Sequence, residues 1–406
     1  MNFSYYIGRK LAIGKEKSFT KFIIRLAIVG VALSLSVMLV AVSIVDGFSH
    51  EIKSKLAGFS GHIQIKNLDL SQSDETEPIP FSQQLIDSLR QHPNINSVTP
   101  IAHKTGILQT DEDIEGLLFK GLPANYDWSF FEPYIVKGRK LQNTDSTDTY
   151  EMLISEKHAL KLGIDTGQVL DVFFIQNEKV RRRRMQLVGV FRTGLEELDK
   201  KILLTDYRVI QRVYSPEYDQ ISSYEVRISD LDQINQTSDW VDNAIGLKLK
   251  AEPIYSTYYV IFQWLKFVDY NAVIIIVLML FVAIVNCITA LLVLIIERTN
   301  MVGILKALGA DNKDVARIFL FKGMYLIGSG LLIGNAVALS ISWAQKRFGF
   351  LKLDEETYYM NLVPIQLNWG KIISLNIGTF VICFLILLIP IIMVRRVSPV
   401  KAIRYE

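Results

Sequence analysis

Four apolar runs without charged residues constrain the fold of this 406-residue chain more than any other feature. Each run has 20 to 25 residues, the length that an α-helix needs to cross the hydrocarbon core of a bilayer. More than two hundred residues of mixed composition separate the first run from the second, whereas the other three follow closely. This spacing predicts one membrane helix, a large domain outside the bilayer and a block of three further membrane helices. The runs are Leu26–Val45, Ala272–Ile296, Gly323–Trp343 and Ile372–Val394.

The long segment after the first run, 49–265, has the pattern of a mixed α/β domain. A strand–helix–strand order occurs at both of its ends, 49–111 and 206–265, and Ser82 is the expected N-cap of the first of these helices. We therefore expect the two ends to pair into one α/β subdomain. Short strands and turns fill 112–205, which predicts an inserted β-rich subdomain. The expected fold class is a membrane domain of four transmembrane helices plus this α/β extracytoplasmic domain.

Basic residues near the ends of the apolar runs predict the orientation in the membrane. Six Lys and Arg lie in 1–25, five in 297–322 and four in 395–406, and loops rich in these residues stay in the cytoplasm. Both termini are thus expected to be cytoplasmic and the large domain to lie on the other side. The expected segments are an interfacial stretch 1–21, membrane helices 22–48, 266–296, 313–345 and 371–395, a cytoplasmic loop 297–312, an outer loop 346–370 and a cytoplasmic tail 396–406.

No catalytic or nucleotide-binding motif is found in the sequence. A phosphate-binding loop, a nucleophile elbow, a His-Glu-x-x-His pattern and paired cysteines are all missing. The five histidines have no metal-ligand spacing, and both cysteines, Cys287 and Cys383, fall within apolar runs. The net charge of +3 does not indicate a nucleic-acid partner. We expect no enzyme activity, no metal and no cofactor in this chain, so any energy must come from a separate protein.

The loop between the second and third runs has the most specific local pattern. Four apolar residues recur at positions i, i+3, i+4 and i+7, which predicts a short helix with one hydrophobic face. Gly309 is expected to end this helix, and Asp311 with Asp314 resembles a capping box that starts the next one. The face would dock into a groove on a cytoplasmic partner or, alternatively, dip into lipid. Its residues are Met301, Ile304, Leu305 and Leu308.

Two further patterns indicate packing or contact surfaces. Small residues recur every four positions in the third run, which predicts close helix packing within the bundle or at a subunit interface. They are Gly330, Gly334, Ala338 and Ser342. Four consecutive arginines in the large domain predict either a solvated hairpin edge or a contact with an acidic partner or lipid head groups. They are Arg181, Arg182, Arg183 and Arg184.

The chain resembles the LolC/LolE permeases of lipoprotein-releasing ABC systems, within the wider MacB/FtsX-like permease group. The likeness covers nearly the whole chain, and its most specific parts lie in the short cytoplasmic helix and the C-terminal tail. The matching stretches are Ile28 to Ser34, Val45 to Ile52, Gly61 to Ile65, Glu297 to Thr299, Gly303 to Ala310, Tyr358 to Ile365 and Ser398 to Glu406.

This resemblance implies a subunit of the bacterial inner membrane with a large periplasmic domain. It implies a second permease subunit, in a heterodimer or homodimer, and an ABC ATPase homodimer that binds ATP and magnesium. Glu297 and Arg298, together with 301–309, would form the coupling helix that contacts this ATPase. The implied substrate is an acylated lipoprotein, taken from the membrane and handed to a periplasmic carrier.

One departure and two alternative functions stay open. The family's carrier-recruiting subunit has a long protruding hairpin, whereas the corresponding segment here, 174–185, is short and rich in arginine. Direct recruitment of a carrier by this chain is therefore undecided. The alternatives are a MacB-like efflux or export permease and an FtsX-like signalling permease that transports nothing and controls a cell-wall hydrolase.

Overall fold

The computed structural model describes residues 18–68, 77–111, 113–144, 148–176, 178–214 and 219–394. Most of the expected interfacial stretch, 1–17, and the expected tail 396–406 lie outside these residues. The helices in chain order are α1 (Ser18–Ser60), α2 (Gln83–Leu89), α3 (Glu156–Lys161), α4 (Glu196–Asp199), α5 (Tyr207–Tyr214), α6 (Ile234–Ile245), α7 (Ile254–Thr257), α8 (Tyr259–Glu297), α9 (Thr299–Ala307), α10 (Asn312–Phe348), α11 (Glu355–Tyr358) and α12 (Trp369–Val394). The strands are β1 (Ile63–Asn67), β2 (Ile79–Pro80), β3 (Ile95–Gln109), β4 (Ile114–Leu122), β5 (Ile135–Gly138), β6 (Glu151–Ser155), β7 (Val169–Gln176), β8 (Lys179–Phe191), β9 (Ile202–Asp206), β10 (Gln220–Ile221), β11 (Ser223–Ile228) and β12 (Leu249–Pro253).

The chain divides into two compact units. The first is helical and is drawn from 1–50, 264–352 and 362–406, and the second contains 51–263 and 353–361. In the described part of the chain, four helices are long and apolar enough to cross a membrane, namely α1, α8, α10 and α12. They contain the four runs on which the sequence prediction rests.

Helix α1 is much longer than a membrane span requires. Its 43 residues extend for about 65 Å, roughly twice the thickness of a bilayer's hydrocarbon core. Its last turns carry Asp46, Glu51 and Lys53, which belong outside hydrocarbon. The helix ends before Gly61, whose φ of +71° is a conformation that favours glycine. The helix thus continues well beyond the uncharged run that predicts the span.

The two ends of the large domain meet in one sheet, as the sequence predicts. Strand β1 pairs antiparallel with both β11 and β12, which lie about 160 to 190 residues later in the chain. Helix α2 begins after Ser82, whose hydroxyl accepts a hydrogen bond of 3.2 Å from the Leu85 amide, so the expected N-cap is present.

The β-rich middle segment is confirmed only in part. Its strands exist, but they continue the same ten-stranded sheet instead of forming a separate one. Strand β3 joins the two regions because residues 95–101 pair with β11 and residues 102–109 pair with β4. The sheet order is β12-β1-β11-β3-β4-β9-β6-β8-β5, with β7 pairing to β3 and β8. A hydrophobic core that includes Phe119, Phe174 and Leu203 fills one side of this region.

Candidate functional site

The short helix between the second and third long apolar helices is the first candidate site. Helix α9 is separated from α8 by Arg298, and the Thr299 hydroxyl donates hydrogen bonds to the Ile295 and Ile296 carbonyls at 3.1 and 2.7 Å. At its far end, Gly309 has a φ of +92°, as expected of the residue that follows a helix C-terminus. Local backbone chemistry therefore sets both ends of the helix.

The four residues of the predicted apolar face of α9 differ in their exposure to solvent. Ile304 is 50% exposed and Leu308 is 80% exposed, whereas Met301 and Leu305 are half-buried. The helix packs on its unit through Val302 and Gly303, which are buried. Large aliphatic side chains at this exposure are unfavourable in water, so Ile304 and Leu308 form a surface suited to an apolar partner.

Three charged residues lie on or next to α9 in the sequence. Glu297 and Arg298 are half-buried at the junction of α8 and α9. Partial burial lowers the pKa of Lys306, which lies on the inner side of the same helix. Groups of both signs thus lie within a few residues of the apolar surface in the sequence.

The expected capping box at the start of α10 is only half correct. Asp311 occupies the N-cap position, but its side chain makes no capping hydrogen bond. Its backbone carbonyl accepts from the Asp314 amide at 3.0 Å, and the Asp314 carboxylate lies 3.5 Å from Arg317. A capping box normally uses Glu or Gln at the position of Asp314, and both have longer side chains than Asp.

The small-residue stripe lies against α1. A Cβ added to Gly330 would come within 2.8 Å of the Val31 side chain, and one added to Gly334 within 2.8 Å of the Ala32 carbonyl oxygen. Ser36 Oγ donates a 2.9 Å hydrogen bond to the Gly334 carbonyl across the same contact. Ala338 and Ser342 are buried on the same helix face. These four positions therefore act as a backbone-to-backbone packing surface within the helical unit.

The arginine run occupies strand β8 of a tight hairpin. Arg182 makes a two-point ion pair with Asp171 on β7, with distances of 2.8 and 2.5 Å. The same guanidinium holds the pKa of Asp171 below its usual range. Arg181 donates to the Arg212 carbonyl at 2.8 Å, and Arg183 donates to the Arg182 carbonyl at 2.9 Å. Three of the four arginines thus form hydrogen bonds or ion pairs with residues of the same domain.

The end of this hairpin combines apolar and basic character. Ile175 and Val180 face each other across β7 and β8 and are 54% and 64% exposed. Lys179 is exposed next to Val180 at the turn, and Arg184 is exposed farther along β8. The turn is short because β7 and β8 pair up to Gln176 and Lys179. The hairpin is therefore compact, as the sequence indicates, and carries a mixed apolar and cationic tip.

A buried ion pair in the large domain was missed by the sequence interpretation. Lys120 on β4 and Glu225 on β11 are 1% and 2% exposed, and Lys120 Nζ lies 2.6 Å from Glu225 Oε1. The ammonium group also donates to the Phe59 carbonyl in the last turn of α1. Burial lowers the pKa of Lys120, and the Glu225 carboxylate opposes that shift. A lysine within the apolar segment 117–122 was the available signal.

A second buried lysine, also missed, lies on α1 itself. Lys55 is 6% exposed, and its Nζ donates to the Thr193 carbonyl at 2.7 Å and to the Tyr359 carbonyl at 2.8 Å. The Tyr134 ring centroid lies 5.6 Å away. This lysine therefore joins three segments that are distant in sequence.

Among the described residues, no group of three or more His, Cys, Asp or Glu side chains could hold a metal ion.

Two family models match the chain. The MacB-like periplasmic core domain matches residues 26–244, and the FtsX-like permease C-terminal domain matches residues 273–399. The first of these covers more than half of the sequence. Together the matches define a membrane permease with a large periplasmic domain.

Curated relatives match over nearly the full length. The lipoprotein-releasing system transmembrane protein LolC of Xylella fastidiosa (strain Temecula1 / ATCC 700964) is 21% identical, covering 98% of this chain and 97% of the relative. The protein LolE of Haemophilus influenzae (strain ATCC 51907 / DSM 11121 / KW20 / Rd) is also 21% identical, covering 99% of each chain. The periplasmic region of MacB from Actinobacillus actinomycetemcomitans is 17% identical with a TM-score of 0.35, covering 49% of this chain and 91% of that one.

The chain belongs to the MacB-like periplasmic core domain family and is a permease of the LolC/LolE type. The resemblance inferred from the sequence motifs is therefore confirmed.

Proposed function

We propose that this chain is a permease subunit of an ABC transporter that releases lipoproteins from the bacterial inner membrane to a periplasmic carrier. The observation that carries the proposal is the match to LolC and LolE proteins over nearly the whole length of the chain, membrane helices and periplasmic domain together. A match confined to the permease domain would fit the wider family equally well.

Energy for release would come from a separate ABC ATPase homodimer, which would bind ATP and magnesium. The absence of a phosphate-binding loop from the sequence supports this division of labour. The exposed side chains of Ile304 and Leu308 on α9 supply an apolar surface to which that ATPase would bind. Movement of the ATPase dimer would then be passed through α9 to the long helices on either side of it in the chain.

The need for ATP and for a carrier follows from the chemistry of the substrate. Moving an acyl chain from lipid into water costs about 0.8 kcal/mol for each CH₂ group. Tri-acylated lipoproteins therefore do not leave a membrane spontaneously, and their release requires an energy source and a receiver with an apolar pocket. A second permease subunit, identical or different, would complete the membrane part of the complex.

The proposal is tested by depleting the chain in its host and separating the inner from the outer membrane. We expect lipoproteins destined for the outer membrane to accumulate in the inner-membrane fraction. A normal distribution of lipoproteins would contradict the proposal.

The two family models also fit a second class of function, efflux or signalling. The MacB-like and FtsX-like families that they describe include permeases that do not release lipoproteins. The same depletion experiment distinguishes these functions from lipoprotein release. Sensitivity to exported compounds would indicate efflux, and a defect in cell separation would indicate control of a cell-wall hydrolase.

A further inference from the structure

Lys55 has an unusual environment for a lysine on a helix that continues from a membrane span. It is 6% exposed, although lysines are rarely buried without partners. Two of its three ammonium protons are directed at backbone carbonyls, those of Thr193 and Tyr359. Because backbone oxygens accept these bonds, the contact depends directly on the path of the chain at 193 and 359.

The two acceptors are themselves held in place. The Asp199 carboxylate accepts hydrogen bonds from the Thr193 hydroxyl at 2.7 Å and from the Thr193 and Gly194 amides at 3.0 and 3.2 Å. Tyr359 has a φ of +61°, a left-handed conformation that is rare for a tyrosine. Residues held in such conformations require support from their surroundings. The Lys55 bond to the Tyr359 carbonyl supplies part of that support.

The segment 353–361 that contains Tyr359 belongs to the chain that connects α10 to α12. It is closed by its own hydrogen bonds, from the Leu353 amide to the Asn361 carbonyl and from the Tyr358 amide to the Asp354 carbonyl, both 3.0 Å. These bonds connect the two ends of the small loop 353–361 to each other and close one turn within it. Lys55 connects that loop to α1 and to the loop that follows the arginine-rich strand β8.

A second contact ties α1 to the same connection nearer the membrane span. The Gln366 amide donates to the Ser43 carbonyl at 3.0 Å, and a Cβ on Gly47 would lie 2.6 Å from the Pro364 carbonyl oxygen. Lys371 Nζ and Asp46 Oδ1 are 2.5 Å apart. Next to the membrane span, residues 364–371 of the α10–α12 connection are thus held against residues 43–47 of α1.

We propose that Lys55 is a positioning residue that transmits movement of α1 to the periplasmic domain by holding Thr193 and Tyr359 together. This inference rests on the proposed function, since it assigns a task within ATP-driven release. Movement of α1 or of the α10–α12 connection would be passed directly to the 193–199 loop. Without the ammonium group, the helix would move independently of both loops, and ATP hydrolysis would continue without productive release.

The test uses the full-length chain assembled with its ATPase and any partner permease in proteoliposomes. Lys55→Met removes the ammonium group but keeps an apolar side chain of similar length, and Lys55→Arg keeps the charge and the donors. Lys53→Met is the matched control, because it removes the same charge from the same helix at a less buried position. Three quantities are measured: the rate of ATP hydrolysis, the amount of lipoprotein released per ATP, and hydrogen exchange at 193–199 and 353–361 with and without ATP plus vanadate.

For Lys55→Met we expect hydrolysis close to the wild-type rate and a fall in release per ATP of about fivefold or more, the lower end of typical coupling between linked sites. The nucleotide-dependent change in exchange at 353–361 should disappear. Lys55→Arg should restore both quantities, and Lys53→Met should behave as wild type. If Lys55→Met does not accumulate, Lys55→Gln, which shortens the side chain and removes its charge, is measured against the same expectations.

Two results would overturn the proposal. One is wild-type release per ATP together with an intact nucleotide response in exchange. The other is a parallel loss of hydrolysis and release, which indicates a structural role only. If wild-type protein releases no lipoprotein, the proposed function fails, and the exchange measurement alone then decides the role of Lys55.

Discussion

Asn335 on α10 and Asn376 on α12 exchange two side-chain hydrogen bonds, with distances of 2.6 and 3.0 Å between their amide groups. Each amide also donates to the carbonyl four residues earlier in its own helix, Leu331 or Ile372, at 2.8 and 2.9 Å. Both NH₂ groups are therefore fully used in a region where water is scarce. The pair fixes the register of two neighbouring membrane helices.

This reciprocity predicts non-additive effects of substitution. Asn335→Leu or Asn376→Leu alone should destabilise the protein by about 1 kcal/mol, because each leaves one amide without its partner. The double variant should cost less than the sum of the two. Unfolding of the purified protein in mixed micelles measures the three values, and strictly additive losses would show that the two residues do not interact energetically.

Because α10 lies so close to α1, we expect the stability of the protein to depend strongly on side-chain size at this contact. Gly334→Ala should lower the free energy of unfolding by about 1 to 3 kcal/mol, since its methyl group would lie 2.8 Å from the Ala32 carbonyl oxygen. Gly328→Ala, on the same helix, is the control because nothing lies within 4 Å of its added Cβ. That change should be neutral or stabilising, as expected for alanine in a helix. Equal effects of the two substitutions would contradict the packing described here.

The exposed surface of α9 predicts that a substitution there impairs binding of the ATPase without impairing insertion of the protein into the membrane. Leu308→Asp should leave the protein folded and inserted, because Leu308 is 80% exposed. It should weaken association with the ATPase roughly tenfold, as expected when a charge enters an apolar contact worth about 1 to 2 kcal/mol. Co-purification and ATP turnover measure the loss. Asn312→Asp, which adds the same charge at an exposed position, is the control. Normal co-purification of Leu308→Asp would exclude docking through this surface.

The environment of His62 predicts acid sensitivity of the large domain. Burial, reinforced by the Arg227 charge, lowers the pKa of His62 to about 4, and its Nδ1 accepts a 2.9 Å hydrogen bond from the Ile228 amide. The folded protein thus binds fewer protons than the unfolded chain between pH 4 and 6.5, so its stability falls as the pH falls through this range. The contribution of His62 amounts to at most about 3 kcal/mol.

His62→Asn keeps an acceptor near the Nδ1 position but removes the titration. Denaturation midpoints measured between pH 4 and 7.5 should therefore depend less steeply on pH in this variant. Asp199 acts in the opposite direction, because burial raises its pKa to about 6 and the folded state gains from its proton below that pH. A slope unchanged by His62→Asn would contradict the assignment.

The helical and sheet elements were largely predictable because local pattern determines them. The apolar runs located the four long helices, and alternation at Ile63 to Ile65 located β1. Gly309 and Ser82 marked helix ends because a positive φ and a side-chain N-cap both act within one helical turn. By contrast, no local signal shows that α1 continues to Ser60, since the uncharged run ends fifteen residues earlier.

The contacts of single side chains were harder to anticipate. Periodicity groups Leu305 with Leu308 on one face of α9, but packing through Val302 and Gly303 turns Leu305 inward and leaves Leu308 exposed. Lys55 has no distinguishing sequence motif, and the apolar segment around Lys120 does not identify its partner. The partners of both lysines are backbone carbonyls or residues more than a hundred positions away. Such long-range contacts depend on the tertiary fold.

Reconstitution tests the central claim most directly. The chain is assembled with its ATPase and any partner permease in proteoliposomes that contain a tri-acylated lipoprotein, and a soluble periplasmic carrier is added outside. We expect transfer of lipoprotein to the carrier that requires ATP, requires the carrier and is lost in Leu308→Asp. Steady ATP hydrolysis without any transfer would contradict lipoprotein release and favour an efflux or signalling permease.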